Sequence, residues 1–482
     1  MQTSRRGHET FRRLLVGLTI AALAGCGDDD APPTDAGTPA TDASTADAST
    51  ADASTTDASI ADATPADAGG SVVTTPPGPL AALFDGNLLA ADYWTDEPAI
   101  LSATLGFADI VGILGPLNEE NVRAAGGAWS TAGTARCADT PNAITTTSTQ
   151  MQVGFLYQQR TPYEGVRDGA LGLDGLPVVF SWPMDTSTLD LDDFRVTLNT
   201  GEVVSPHAVS PFPCGETNER NTAVIFGEWG NRLPSSDPDA RYPARVEIVE
   251  GATPLMLVGP DARVESAVGL FWENNSSPYD PNNGPRLVGA KLNRVDERSL
   301  GEGISGFNPP FLPPNDEHVL YDEGDFRLRV LTSGGFSPDG VTAVRPTDFE
   351  TFFRIHARGA DGSNVLITEV GETYAVMGGS LRVVGLAELG AREGGDVVYD
   401  ACYGDDRDNY IDVILVGDDA AARNVTHVEI PSLAGGYRAF YNPGGPGSTP
   451  FSGVTYTSPG PADLEPVTIA LDDPRRVTRM AR

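Results

Sequence analysis

Lysine is almost missing from this chain. Lys291 is the single lysine among 482 residues, so positive charge is carried by arginine and lysine-based chemistry is confined to one position. Set against 67 acidic side chains, the 32 basic ones leave a formal charge of -35, and a field of that sign repels a phosphate backbone. Nucleic acid is therefore excluded as a partner. Cysteine is scarce as well: Cys26, Cys137, Cys214 and Cys402 are the whole set, and with no C-x-x-C pair neither a zinc ribbon nor a thioredoxin-like redox site is indicated. The H-E-x-x-H, G-x-S-x-G and G-x-x-x-x-G-K motifs are absent too, which removes the usual sequence support for a metalloprotease, a serine hydrolase and a phosphate-loop NTPase. What the chain has in quantity is turn formers. Its 54 glycines and 38 prolines predict many turns and few long helices, while 40% hydrophobic residues are enough to build a core. The expected class is all-β.

The first 26 residues hold Arg5, Arg6, Arg12 and Arg13, then an apolar run over 14–23, then Ala24, Gly25 and Cys26. The run is too short to cross a bilayer, which takes about 20 apolar residues, and it ends in small residues as a secretory leader does. Leu23-Ala24-Gly25-Cys26 resembles the lipobox of bacterial lipoproteins. The resemblance implies a signal peptide over 1–25, cleavage before Cys26, and acylation (palmitate among the chains) of its sulfur and new amine. The competing reading is an ordinary signal peptide with an incidental cysteine. Acyl chains contribute about 0.8 kcal/mol per buried methylene, so three of them hold a protein to a membrane almost irreversibly. Gly27 stands where an Asp would resemble the enteric inner-membrane retention signal, so the expected location is the cell envelope, at the outer membrane.

Residues 26–79 form a second segment. Asp42, Asp47, Asp52, Asp57, Asp62 and Asp67 recur every five residues, a period that fits neither helix nor strand. Between Gly27 and Pro79 there are ten Asp and no Lys, Arg or Glu, and Ile60 is the one large apolar residue of the repeat. Such a low-complexity stretch cannot offset its ordering entropy, so a disordered, extended linker is expected, reaching up to on the order of 150 Å. Display of a domain at a distance and a spacer of no selected length are equally compatible with it. With the linker and the leader's net +3 set aside, -28 remains on the rest, so the folded part is itself acidic.

Past residue 79 short alternating runs appear between Gly, Pro, Asn and Asp. Strands are expected at 176–182, 194–198, 222–226 and 244–249, and again at 326–331, 364–369, 381–385, 410–416, 425–430 and 466–471. Ile411, Val413, Ile414 and Leu415 suit a central strand covered on both faces. LAALF at 80–84, residues 88–91 and NEENVRAA at 118–125 are expected as short helices. The text FSWPMDTSTLDLDDFRVTLNTGE resembles bacterial immunoglobulin-like domains, which implies two packed Ig-like β-sandwich domains: an N-terminal one over 80–285 with its Ig-like core at about 170–250, and a C-terminal one over 286–482. An internal repeat is suggested by Phe336-Ser337 before Thr347-Asp348-Phe349 and FFRIHA, which parallels Phe180-Ser181 before Asp192-Asp193-Phe194 and FRVTL. Segments GFSPDGV, DNYIDVILVGDDAA, THVEIP, FYNPGGPG and PADLEPVTIALDDP further resemble a family of uncharacterised proteins from bacteria and fungi over most of 80–475. That resemblance carries no activity; it suggests that the folded part works as one unit to which anchor and linker are additions.

With Cys26 lipidated, three cysteines remain for at most one disulfide in an oxidising compartment. Cys137 with Cys214 is the preferred pair, and pairings with Cys402 stay open. Asp405, Asp406, Asp408 and Asp412 are spaced so that they can wrap a hard cation, which makes structural calcium the one cofactor to consider; a solvated acidic turn neutralised in part by Arg407 is the competing reading. His207, His318, His356 and His427 lie too far apart along the chain to chelate by sequence spacing. Tyr93, Trp94, Trp129, Trp229 and Trp272 are candidates for stacking on sugar rings or for core filling. No catalytic residue is assigned. The expected function is a membrane-anchored lipoprotein whose β ectodomain binds a protein or glycan, adheres, or serves the envelope structurally. An anchored carbohydrate hydrolase with paired carboxylates is the alternative, and the sequence leans away from it.

Overall fold

Where alternation is strongest, the chain becomes strand. FRVTL at Phe194–Leu198 buries Phe194, Val196 and Leu198 and turns Arg195 outward, while its neighbour Pro243–Ile248 buries Val246 and Ile248. On the wet side Arg195 meets Glu247 at 2.6 Å and Arg245 meets Glu273 at 2.5 Å. These are surface pairs that set register more than they add stability. The computed structural model describes residues 84–104, 133–137, 140–143, 174–211, 220–227, 229–230, 235–275, 277, 286–295, 321, 323–333, 348–387, 389–392, 403–405, 409–431 and 462–481. The expected leader and linker, the 118–125 segment, and Cys26, Cys214, Cys402, Asp406 and Asp408 lie outside them.

The described residues are β-rich, as expected, and fall within one compact unit, Gly69–Arg482. They build two large hydrophobic cores, one from residues between Phe84 and Ala267 and one from residues between Leu287 and Leu471, and two small apolar clusters beside them. The first core lies between two four-stranded sheets. In chain order its strands are Ile100–Ser102, Asp174–Phe180, Phe194–Leu198, Val203–Val204, Ala208–Ser210, Thr222–Gly227, Pro243–Ile248 and Phe271–Glu273. Counted that way, one sheet runs first, second, sixth, fifth and the other eighth, seventh, third, fourth.

The second core repeats this order. Its strands are Leu287–Arg294, Phe326–Thr332, Arg354–Arg358, Asn364–Ile367, Gly379–Leu386, Tyr410–Gly417, Val425–Ile430 and Asp463–Pro466. They again pair first, second, sixth, fifth and eighth, seventh, third, fourth. Two additions widen the first of these sheets to six strands: Thr373–Val376 beyond the fifth strand, and Thr468–Ile469 parallel to the first. Ile411, Val413 and Leu415 lie on a central strand, between Gly379–Leu386 and Phe326–Thr332. Leading into the third strand, the acidic run Asp190-Leu-Asp-Asp closes a 3-10 turn. Asp190 accepts from the Asp192 amide at 3.1 Å and Asp193 from the Asp190 amide at 2.9 Å, so those carboxylates cap backbone. The second half has a one-turn helix, Phe349–Phe352, at the matching place.

Residues 88–91 are not a helix. Leu88–Asp92 is a strand paired antiparallel with Arg476–Arg479, close to 390 positions away in sequence, with a bulge where Ala90 takes φ +53°. A partner so distant leaves no trace in local periodicity, and pairing overrides the helix propensity of Leu and Ala. From this strand the chain crosses between the halves: Trp94 donates its amide to Ser181 O at 2.8 Å, and its ring packs with Val179, Leu331 and Tyr410 in a small apolar cluster. Trp94 lies flat on Tyr410, with centroids 5.7 Å apart and planes at 20°. Gly289 makes this approach possible, since a Cβ there would come within 2.8 Å of Trp94 Cε3. Gly289→Ala should therefore destabilise the protein by about 1–3 kcal/mol, read by chemical denaturation followed through tryptophan fluorescence; an unchanged midpoint would remove Trp94 from the joint between the halves.

Candidate functional site

The first, second and sixth strands of the second half present a charged row on the face turned away from their own core. Lys291 is registered with Arg329, and Arg329 with Asp412. In an isolated sandwich this face would be wet, and alternation such as Phe326-Arg327-Leu328-Arg329-Val330 reads that way. Here it is covered. Asp92, at the end of the strand that pairs with Arg476–Arg479, descends onto the row, and Asp92, Lys291, Arg327, Arg329 and Asp412 are all at 0% exposure.

Each carboxylate is held on both oxygens. Asp92 Oδ1 accepts from Lys291 Nζ and, at 3.1 Å, from Arg476 Nε; its Oδ2 accepts from Arg329 Nη1 at 3.0 Å. Asp412 Oδ1 accepts from Arg329 Nε at 2.9 Å and Oδ2 from Nη2 at 2.5 Å, a two-pronged pairing, with Arg327 Nη1 at 3.7 Å. Lys291 Nζ also donates to Arg475 O at 3.0 Å, and Asn293 Nδ2 to Ala470 O and Pro474 O at 3.2 and 3.0 Å, which fastens the closing loop to the same sheet. The aromatics line the charge. Lys291 Nζ lies 5.2 Å from the Trp94 ring centroid, and Arg329 Cζ 4.9 Å from that of Tyr410. Tyr410 Oη completes the joint by donating to Asn221 Oδ1 of the first half at 2.9 Å.

Burial penalises the Asp92 carboxylate, but the charges of Lys291, Arg476 and Arg329 outweigh it and hold its carboxyl well below the usual range. Burial also pushes the Lys291 ammonium down to about 8, with Arg476 and Arg329 acting the same way against Asp92. No substrate from solution reaches groups so enclosed. As a structural element the cluster ties together the first described strand, the closing residues and the second core.

Of the sequence-assigned site residues, Cys137, Asp405 and Asp412 are among the described residues. Asp412 leaves the calcium loop: it points from the sheet into the buried row, and Arg329 occupies both of its oxygens. Asp405 ends the strand Tyr403–Asp405, and Asp406 and Asp408 lie outside the described residues. Cys137 ends the strand Gly133–Cys137, while Cys214, its proposed partner, lies outside. Among the described residues no group of three or more His, Cys, Asp or Glu is arranged to hold a metal ion. The aromatics proposed for sugar stacking are structural where described: Tyr93, Trp94 and Trp229 are buried, and Trp272 is packed on the first core.

Sequence spacing missed two juxtapositions. His356 and His427 face each other across adjacent strands, with ring centroids 6.4 Å apart, and His356 Nε2 pairs with Glu429 Oε2 at 2.5 Å on an outward face. Seventy residues separate the two histidines, and only the pairing of third and seventh strands joins them. Asp463 and Glu465 stand two apart on the eighth strand, opposite the inward residues Ile430 and Val428. Burial, then the charge of Asp463, pushes Glu465 up to about 7; Asp463 is raised by burial while accepting from the Leu287 amide at 2.7 Å. Charged side chains turned inward on an edge strand protect that edge against adding another strand.

Comparison with protein-family models, curated proteins and solved structures finds no match to this chain.

Two outcomes follow from this geometry. Arg329→Met removes the cation shared by Asp92 and Asp412 and should cost about 3–5 kcal/mol in urea denaturation, with Arg329→Lys recovering only part because the planar fork is lost; a cost under about 1 kcal/mol would contradict the role given to the row. Glu465 carries its proton to higher pH in the folded state than its ordinary 4.5, so its contribution to stability falls as pH rises from 4.5 to about 7. Glu465→Gln should flatten that decline and, above pH 7, stabilise by roughly 1–2 kcal/mol after allowance for partial exposure. Parallel stability curves for the two proteins would show that Glu465 is not desolvated.

Proposed function

We propose that this chain is a lipoprotein of the bacterial envelope, anchored through Cys26 at the outer membrane, whose acidic linker displays two immunoglobulin-like sandwiches in a binding or structural role rather than a catalytic one. The observation that carries the reading is the order of segments in the chain: a basic start, a short apolar run, Leu23-Ala24-Gly25-Cys26, then an aspartate repeat without large apolar side chains apart from Ile60. Lipid chains supply the membrane affinity, and the linker supplies the reach.

The immunoglobulin-like part of the reading is supported by strand order. A sheet of first, second, fifth and sixth strands packed on one of eighth, seventh, third and fourth is the arrangement of that sandwich class, and both halves have it. The non-catalytic part is supported by the place of the charged residues. The densest set of ionisable groups among the described residues is enclosed at the joint between the halves, where it holds strands together. Among the described residues, no helix is long and apolar enough to cross a membrane.

Detergent phase partition of the protein expressed with its own leader tests the anchor. The wild type should enter the detergent phase and carry a blocked amino terminus at Cys26, and Cys26→Ser should remain unprocessed and incorporate no labelled palmitate. A wild-type protein recovered wholly in the aqueous phase, or beginning upstream of residue 26, would overturn the proposal.

A further inference from the structure

The contact between Lys291 and Asp92 has features that an ion pair does not need. The chain uses arginine for every other basic position, including three of the four cations in this cluster, and arginine is the better partner for a buried carboxylate. The one amine nucleophile among its side chains is placed against a carboxyl group, with 1% and 0% of the two side chains exposed. We propose that Lys291 and Asp92 become joined by an intramolecular isopeptide bond, formed after folding by condensation of the lysine amine with the aspartate carboxyl.

The surrounding groups suit the step. Lys291 Nζ already donates to Asp92 Oδ1, so the proton needed on that oxygen moves along an existing hydrogen bond, although the surrounding cations favour the carboxylate and keep the neutral pair a minor state that makes the step slow. The nitrogen lone pair then attacks Cγ. Negative charge develops on Oδ2, which Arg329 Nη1 holds at 3.0 Å, in the manner of an oxyanion hole. Oδ1 leaves as water, helped by Arg476 Nε at 3.1 Å. One C–N bond forms and one C–O bond breaks. Of the three ammonium protons two depart in the water and one stays on the amide nitrogen, and nothing is oxidised or reduced. Burial lowers the basicity of the amine, which makes its neutral form accessible near physiological pH, and the same burial keeps water from reversing the reaction.

The position of the bond gives it a use. It would close a loop between residues 199 apart and tie the first described strand after the linker, Leu88–Asp92, to a strand of the six-stranded sheet. Force arriving from an amino-terminal anchor would then pass through a covalent bond into the second core instead of peeling away a pair of hydrogen-bonded strands. The inference extends the anchored reading but does not depend on it.

The experiment is peptide mapping of the full mature chain, denatured, with thiols alkylated. Trypsin should yield no free peptide 287–291. In its place should appear a branched peptide in which 287–294, left uncut at the modified lysine, is joined to the peptide containing Asp92, lighter by one water than those two parts together. An amine-reactive probe applied to the denatured chain should leave residue 291 unlabelled. Lys291→Arg should abolish the branched peptide, and where that variant fails to accumulate the wild-type map is sufficient by itself. Recovery of free peptide 287–291 as the main product, or full labelling of Lys291, overturns the proposal even if detergent partition supports the anchor.

Discussion

One cross-strand row, Lys291–Arg329–Asp412, and the aspartate that closes it from above hold the rest of the fold in place. Taking several charges out of water is costly, and the cost is met only if each finds a partner with good geometry. That condition acts as a constraint on assembly. Asp92 must arrive from the amino-terminal strand, Arg476 from the closing strand, and the carbonyl of Arg475 from the loop before it. A chain in which any of these is displaced leaves charge buried without compensation, so the cluster selects one relation between segments that are far apart in sequence.

Around this joint the two halves share an architecture. Each stacks two sheets in the same strand order, and each turns the outer face of its first sheet toward the joint, where Val179 meets Leu331, Tyr410 and Trp94. The apolar part of the joint is small. Polar links cross beside it, from Tyr410 to Asn221 and from Ser102 Oγ to Ser333 O at 3.2 Å. Directional bonds of this kind fix orientation where a small apolar contact alone would allow sliding. Any surface that the two halves present together therefore keeps a fixed shape.

Much of the strand inventory was legible from alternation. FRVTL became Phe194–Leu198, VTHVEI became Val425–Ile430, and the strongly apolar run beginning at Tyr410 became a central strand of the largest sheet. The repeat was legible only as a hint, because its signature is strand order and not side-chain identity: the short helix Phe349–Phe352 and the capped turn at Asp190 do the same job with different residues. Helix at 88–91 was misread because the strand's partner lies at the other end of the chain. Asp412 was read beside its acidic neighbours in sequence, from Asp405 to Asp408, whereas its described neighbours in space are Arg327 and Arg329.

By itself the sequence determined composition-level properties: a scarcity of lysine, a large excess of negative charge, and an all-β fold class set by two-residue periodicity and abundant turn formers. Those follow from local chemistry and need no knowledge of distant contacts. Tertiary structure alone decided what the alternating polar positions are for. Arg327, Arg329, Lys291 and Asp412 occupy positions that local pattern assigns to water, and they became a buried electrostatic joint only because strands from both ends of the chain settle over them. A pattern of period two specifies which face of a strand is polar; it holds no information about what will cover that face.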